Sequence, residues 1–235
     1  MPLTFVQQDI TTMQVDAIVN AANAKLKNFA RHKGGGVCGA IFRAAGQNQM
    51  QKACDRIGGC EVGSTVVTPG FALPAKYVIH AVGPIYKTGS IEEAIQLYNC
   101  YWSALFDARD CDAHTIAFPL ISSGIYGYPP YDALRIAVTA IEDWLFPKKQ
   151  MDVYLSIMDD ELFQLAKIKR EELEWPEVGS AHSRWLREQR LASEMEGVKL
   201  VRAENSRFTE EQIAKMHSLP FEEAVAYRNS LIHKK

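Results

Sequence analysis

The chain has 235 residues, a hydrophobic fraction of 47% and a formal net charge of −2. This length suffices for one sizeable domain with an extension, and the nearly neutral charge gives no reason to expect a nucleic-acid or membrane surface. The five cysteines are odd in number and contain no C-x-x-C pair, which indicates reduced thiols rather than disulfides or a zinc site. The sequence starts without a signal-peptide pattern, and no apolar run approaches the roughly 20 residues that span a bilayer. We therefore expect a cytoplasmic protein that uses no metal and no cofactor.

In the first half of the chain, apolar strand-like segments alternate with a helical segment. β-branched and aromatic residues bounded by polar ones are typical of strands. The strands predicted here are residues 3–7, 16–20, 64–69 and 77–82. Residues 40–57 have helical composition, with an interruption near Gly46.

The second half continues the same alternation. Ser90 and Glu93 form a capping box, which predicts that a helix begins there. Residues 115–121 predict a strand in which Pro119 marks an edge, a bulge or the strand end. A helix over residues 131–145 and a final strand over residues 152–158 complete the pattern. Together these segments predict an α/β fold, a three-layer α/β/α sandwich around a mixed sheet.

The composition changes after about residue 160. Residues 161–235 hold 13 of the 26 Lys and Arg residues but only two of the 15 glycines. This predicts a domain of residues 1–160 followed by a charged, helical C-terminal extension, broken around residues 175–177 and Gly197. Because the charges are balanced, a solvated face or a partner-binding helix is favoured over contact with RNA or a membrane.

Three consecutive glycines, residues 34–36, precede the first helical segment. Glycine adopts positive φ angles and lets the backbone approach a ligand closely, and the first N–H groups of a helix have no intrahelical partner. The run therefore predicts a phosphate-binding loop, with Asn20 and Asn23 upstream supplying amides suited to sugar hydroxyls or an ordered water. The residues of this predicted loop are Gly34, Gly35, Gly36, Val37 and Gly39.

The same run fits the dinucleotide-binding pattern G-x-G-x-x-G through Gly34, Gly36 and Gly39. That turn should follow its strand directly, and an acidic residue should stand on the next strand about 20 residues further on. Here a long polar interval separates the glycines from the strand, and Asp55 lies within a helical pattern. The phosphate-loop interpretation is favoured over the dinucleotide fold.

A second glycine-containing loop follows the strand predicted over residues 115–121. In α/β sheets, loops at the carboxyl ends of strands form ligand sites, and successive backbone N–H groups can form an anion nest. An ordinary strand-to-helix turn would explain this loop on its own, but two such loops together predict a diphosphate. The residues of the second loop are Ser122, Ser123, Gly124, Ile125, Tyr126 and Gly127.

These motifs, taken in order, resemble the macrodomain family of ADP-ribose-binding modules. The resemblance covers about residues 1–158. It is carried by residues 9–11, 15–23, 34–37, 39–41, 44–46, 79–84 and 119–127. It implies that Asp9 accepts a hydrogen bond from the adenine amino group and that the backbone of Ile10 lies beside it. Met158 takes the place where an aromatic residue often stacks on adenine, while Asn20 and Asn23 face the distal ribose.

The sequence departs from the family pattern at Cys38 and Phe42, where many hydrolytic members carry Asp and His. Cys38 is open to three interpretations: a packed thiol, a catalytic thiolate with a lowered pKa at a helix N-terminus, or a zinc ligand. The last is the weakest, because neither His32 nor Cys54 stands at a recognised ligand spacing.

The resemblance implies that the protein binds ADP-ribose and hydrolyses ADP-ribosyl linkages or O-acetyl-ADP-ribose. The candidate catalytic residues are Asn20, Asn23 and Cys38. The alternative from another class is a non-catalytic ADP-ribose reader that recruits a protein partner through its C-terminal extension. A weaker option is the binding of another nucleoside diphosphate or an RNA end. Nucleic acid is otherwise expected only as an ADP-ribosylated substrate.

Overall fold

The computed structural model describes residues 3–28, 35–145 and 151–171, with side chains as far as residue 167 in the last range. Six strands lie in these ranges: β1 Leu3–Val6, β2 Ala17–Ala22, β3 Thr65–Pro69, β4 Tyr77–Val82, β5 Thr115–Pro119 and β6 Asp152–Ser156. The helices are α1 Gly36–Ala45, α2 Gln47–Ile57, α3 Ile91–Asp110, α4 Pro130–Leu145 and α5 Asp160–Glu171, with a short 3-10 turn at Ile10–Thr12.

The strands form one sheet in the order β1-β6-β5-β2-β4-β3. All neighbours are parallel except β3, which runs antiparallel to β4, so the predicted mixed sheet is confirmed. Strand β2 is longer than predicted: Asn20 pairs with His80, and the pairing continues to Ala22 opposite Val82. The carboxyl ends of the parallel strands meet at one edge of the sheet.

Helices cover both faces of the sheet. On one face, α1 and α2 bury Ile41, Phe42 and Met50 in one apolar cluster. On the other, α3 and α4 bury a second cluster that includes Leu105 and Ile141. The predicted three-layer α/β/α sandwich is therefore confirmed.

Glycines set the limits of the first two helices. Gly35 (φ 89°) is the N-cap of α1, and Gly36 (φ 55°) is its first residue, so the helix begins four residues earlier than predicted. Gly46 (φ 94°) separates α1 from α2 at the predicted interruption. The hydroxyl of Ser90 accepts a hydrogen bond from the N–H of Glu93 at 3.3 Å, which confirms the predicted helix start.

Helix α5 is the part of the predicted C-terminal extension that the structure describes. Its Ala166 is buried in the cluster beneath α3 and α4, and the helix contacts β1 and α4. The predicted breaks at residues 175–177 and Gly197 lie outside the described residues, as does Gly34. None of the described helices combines the length and apolar character needed to cross a membrane.

Candidate functional site

A cavity of about 1110 Å³ opens at the carboxyl edge of the sheet, slightly larger than the roughly 300–1,000 Å³ of most small-molecule sites. It brings together most of the residues predicted from the sequence. Those lining it are Asp9, Ile10, Asn23, Gly35, Gly36, Val37, Cys38, Ser122, Ser123, Gly124, Ile125, Tyr126 and Met158. Asn20, Gly39 and Gly127 are not among its lining residues, and Gly34 lies outside the described ranges.

The first wall of the cavity is the start of α1. The positive φ angles of Gly35 and Gly36 turn the chain into the helix, and a Cβ on Gly36 would meet no atom within 4 Å. Glycine is thus required there by backbone conformation rather than by lack of space. The N–H of Gly39 donates to the carbonyl of Gly35 at 3.0 Å, so this amide belongs to the helix and not to the predicted phosphate loop. The first-turn N–H groups of Val37 and Cys38 have no intrahelical acceptor and lie at the positive end of the helix.

The second wall is the loop after β5. Ser122 has a left-handed φ of 64°, unusual for a residue with a side chain. The loop is closed by hydrogen bonds from Gly127 N to Gly124 O (2.9 Å) and from Tyr128 N to Ser122 O (3.0 Å). The Gly127 amide therefore closes the loop instead of facing a ligand, which corrects its predicted role. Neither bond uses the N–H groups of Gly124 and the two residues after it, which line the cavity.

Gly83 supports this second loop from the end of β4. A Cβ on Gly83 would overlap Ser122 Oγ and lie 2.7 Å from Ile121 Cγ2. The Ser122 hydroxyl is buried and has no hydrogen-bond partner in the described part of the chain. Gly83 belongs to residues 79–84, which carry the family resemblance, but no role in the site was predicted for it.

Asn20 lies behind the cavity, with none of its side chain exposed. Its Nδ2 donates to Cys38 Sγ at 3.6 Å and lies 3.0 Å from His80 Nδ1, and His80 Nε2 lies 2.9 Å from Thr68 Oγ1. The expectation that the Asn20 amide faces a ribose is therefore wrong for this structure. Asn20 instead links β2 and β4 to the first turn of α1 from below.

Burial determines the protonation states of His80 and Cys38. It lowers the pKa of His80 to about 3, so the imidazole is neutral. It raises the pKa of Cys38, and the hydrogen bond from Asn20 only partly opposes this effect. Cys38 is therefore a neutral thiol, which disfavours the thiolate interpretation. Among the described residues, no three His, Cys, Asp or Glu side chains are grouped as metal ligands would be.

Asn23 lines the cavity at the end of β2, and part of its side chain is already used. Its Nδ2 donates to the carbonyl of Lys27 at 2.7 Å, and its Oδ1 accepts from the Lys27 N–H at 3.3 Å. These bonds fix the orientation of the amide. Because a carboxamide has two N–H donors and two acceptor positions, one of each remains for a water or a sugar hydroxyl.

The opposite end of the cavity combines a carboxylate with apolar side chains. Asp9 Oδ1 accepts from the backbone N–H and the hydroxyl of Thr11 at 2.9 and 2.8 Å, which holds the carboxylate in place. Beside it lie Ile10, which is buried, and Met158, which is 63% exposed. This end suits a flat apolar ring that carries an N–H donor.

Several lining residues were not predicted from the sequence. They include Lys27, Asn28, Gly83, Leu162 and Leu165. The last two come from α5, which was assigned to the extension and not to the site. Their spacing of three residues on a helix directly after the final strand was the signal that could have found them.

Comparison with known proteins places this geometry in a family. The model of the Macro domain matches residues 19–137. The chain belongs to the Macro domain family.

A macro domain-containing protein of Ralstonia nicotianae is 49% identical over 141 residues, which are 60% of this chain and 79% of that protein. The ADP-ribose glycohydrolase MACROD2 of Xenopus laevis is 47% identical over 151 residues, 64% of this chain and 34% of that one. The Trypanosoma brucei macrodomain, solved in complex with ADP-ribose, superposes on this protein with a TM-score of 0.63 at 32% sequence identity. The match covers 71% of this chain and 68% of the trypanosomal chain.

Proposed function

We propose that this macrodomain binds ADP-ribose in the cavity, with the diphosphate between the two loops. The observation that carries the proposal is that the first turn of α1 and the loop after Ser122 line a single cavity. Each presents backbone N–H groups, and such groups at helix starts and in nests bind phosphate oxygens. The ADP-ribose complex of the trypanosomal relative supports the same ligand for this chain.

The two ends of the cavity give the ligand a direction. The Asp9 carboxylate accepts a hydrogen bond from the adenine amino group, and Ile10 and Met158 contact the ring. The distal ribose then lies at the other end, against Asn23 and Cys38, which line the cavity where β2 ends and α1 begins. This direction places the anomeric carbon beside Asn23, the asparagine of the pair that lines the cavity.

We further propose slow hydrolysis of the bond at the anomeric carbon. Asn23 holds a water through its remaining donor and acceptor, and a diphosphate oxygen takes a proton from it. For ADP-ribose esterified to an Asp or Glu side chain of a substrate protein, the water oxygen bonds to the anomeric carbon as the C–O bond to that side chain breaks. The electron pair of the broken bond leaves with the side chain as a carboxylate. The loop N–H groups stabilise the charge on the diphosphate. The glycohydrolase name of the 47% identical relative supports this activity.

A non-catalytic reader is the second candidate function. The observation that favours it is the neutral thiol of Cys38: burial raises its pKa, and a thiol that stays protonated has no site that can take a proton from water. In that case the C-terminal extension would hold a partner protein while the cavity holds an ADP-ribosyl group.

Two measurements test these proposals. Calorimetry with ADP-ribose tests binding, and the absence of heat would reject both candidates. Turnover of ADP-ribosylated protein, ADP-ribosylated nucleic acid and O-acetyl-ADP-ribose then separates them, because a reader gives no product above the rate without protein. If water positioning is correct, Asn23→Ala abolishes turnover while Cys38→Ala leaves it within about twofold of the wild type.

A further inference from the structure

The base end of the cavity is surrounded by acidic side chains. Asp9, Asp159 and Glu161 all line it, and all three are exposed. We call them the acidic rim. The proposed function uses only Asp9, as the acceptor for the adenine amino group. The other two carboxylates have no role in that proposal, although they face the same space.

The pairing of β1 with β6 brings the acidic rim together. Val6 lies opposite Ser156 in the parallel register. Past the strand ends, Ser156 Oγ donates to the carbonyl of Gln8 at 2.7 Å, and Gln7 Nε2 donates to the carbonyl of Met158 at 3.4 Å. The residues that follow on both strands are therefore side by side.

Local hydrogen bonds hold two of the three carboxylates. Asp9 is fixed by Thr11, and Asp159 Oδ1 accepts from the N–H of Leu162 at 2.8 Å as a cap for α5. Glu161 follows in the first turn of the same helix.

Among the described residues, no ion pair balances the negative charge of the rim. In the described part of the chain, the acidic residues in ion pairs are Asp16, Asp55 and Asp110. Within the described ranges, Lys27 is the only lysine or arginine that lines the cavity. It lies at the end of the cavity away from the rim, and its Nζ is 2.6 Å from Oδ1 of Asp55. Three carboxylates therefore repel any anion that extends to the base end.

We propose that the acidic rim selects ADP-ribose whose adenosine ribose carries no phosphate. This inference rests on the proposed function, because the ligand direction sets which end the adenosine occupies. The adenosine ribose lies between the adenine and the diphosphate, so a phosphate on its 2′ oxygen would be close to the rim. The diphosphate itself is bound further along, by the loop amides. The rim thus distinguishes ligands derived from NAD from ligands derived from its 2′-phosphorylated form.

The test compares two ligands, ADP-ribose and 2′-phospho-ADP-ribose, by calorimetry at low and high salt. At low salt we expect the wild type to bind ADP-ribose about tenfold more tightly than 2′-phospho-ADP-ribose. This ratio of affinities should fall severalfold at about 0.5 M salt, because the Debye length drops to a few ångströms. The double variant Asp159→Asn, Glu161→Gln brings the ratio near one while leaving ADP-ribose affinity within about twofold. Asn at position 159 keeps a cap for α5.

The matched control is Asp152→Asn with Glu92→Gln, which makes the same change in net charge. Asp152 is exposed at the opposite end of β6, and Glu92 is exposed on α3. This variant keeps the wild-type ratio. Equal affinities in the wild type, an unchanged ratio in the rim variant, or an equal shift in the control would each overturn the proposal. If ADP-ribose itself gave no heat, the proposed function would fail first.

Discussion

The backbone of Gly83 lies against the hydroxyl of Ser122, although β2 separates β4 from β5 in the sheet. The loops that leave β4 and β5 therefore touch across the end of the strand between them. Ser122 reaches this position only with a left-handed φ of 64°. The contact fixes the start of the loop whose N–H groups are proposed to hold the diphosphate.

Replacing Gly83 with alanine should destabilise the protein. The new Cβ would overlap Ser122 Oγ and crowd Ile121 Cγ2, so the loop must shift or strain. Overpacking of this kind lowers the free energy of unfolding by about 1–3 kcal/mol. Urea unfolding monitored by tryptophan fluorescence measures it, and a stability equal to that of the wild type would show that the contact is not tight.

The same substitution at Gly124 should have a different effect. A Cβ there would meet no atom within 4 Å, so we expect the free energy of unfolding to stay within about 0.5 kcal/mol of the wild type. The methyl group instead occupies the space of a ligand approaching the loop, and ADP-ribose affinity should fall about three- to tenfold. Calorimetry on a Gly124→Ala variant of wild-type stability checks this. Unchanged affinity would argue against a diphosphate at this loop.

Cys38→Asp should change both binding and turnover. A carboxylate beside the diphosphate repels it, so ADP-ribose affinity should fall severalfold at pH 7.5. The same carboxylate can take a proton from the attacking water, so turnover should rise by about 100-fold. Cys38→Asn, which is neutral and of similar shape, serves as the control and should keep the slow rate. Turnover in Cys38→Asp no faster than in Cys38→Asn would contradict the assigned position of the reacting carbon.

His80 should make the protein less stable in mild acid. Burial lowers the pKa of His80 from 6.5 to about 3, so the unfolded chain binds more protons between these values. The free energy of unfolding therefore falls as the pH drops below 6.5, by about 3 kcal/mol from this residue at pH 4.5. His80→Gln should be less stable at pH 7.5 but lose about 3 kcal/mol less on acidification. Urea unfolding of both proteins at the two pH values measures the difference, and equal losses would mean that His80 is not buried in its neutral form.

The order of strands and helices could be predicted because each segment has its own local signal. β-branched runs marked the strands, Ser90 marked the start of α3, and Pro119 stands at the end of β5 as one of the three predicted options. The glycine run also marked a true helix start, since Gly35 and Gly36 have the positive φ angles that the pattern requires.

The orientation of side chains could not be predicted from such local signals. Asn20 was expected to face a ribose, but the pairing of β2 with β4 sets it opposite His80 and turns its amide beneath α1. The thiol of Cys38 is kept neutral by burial, which depends on the packing of α1 and not on its place in the helix. The side-chain amide of Asn23 exchanges two hydrogen bonds with the backbone of Lys27, and these form only when the turn between the two residues closes in the folded chain.

Helix α5 was assigned by composition to the extension, yet Leu162 and Leu165 form part of the cavity wall and Ala166 is buried in the core. A shortened protein that stops at residue 158 would lack this wall and would open the base end to solvent. Any fragment prepared for ligand screening should therefore retain α5 in full, and weak binding by a shorter fragment would reflect the missing helix rather than the chemistry of the two loops.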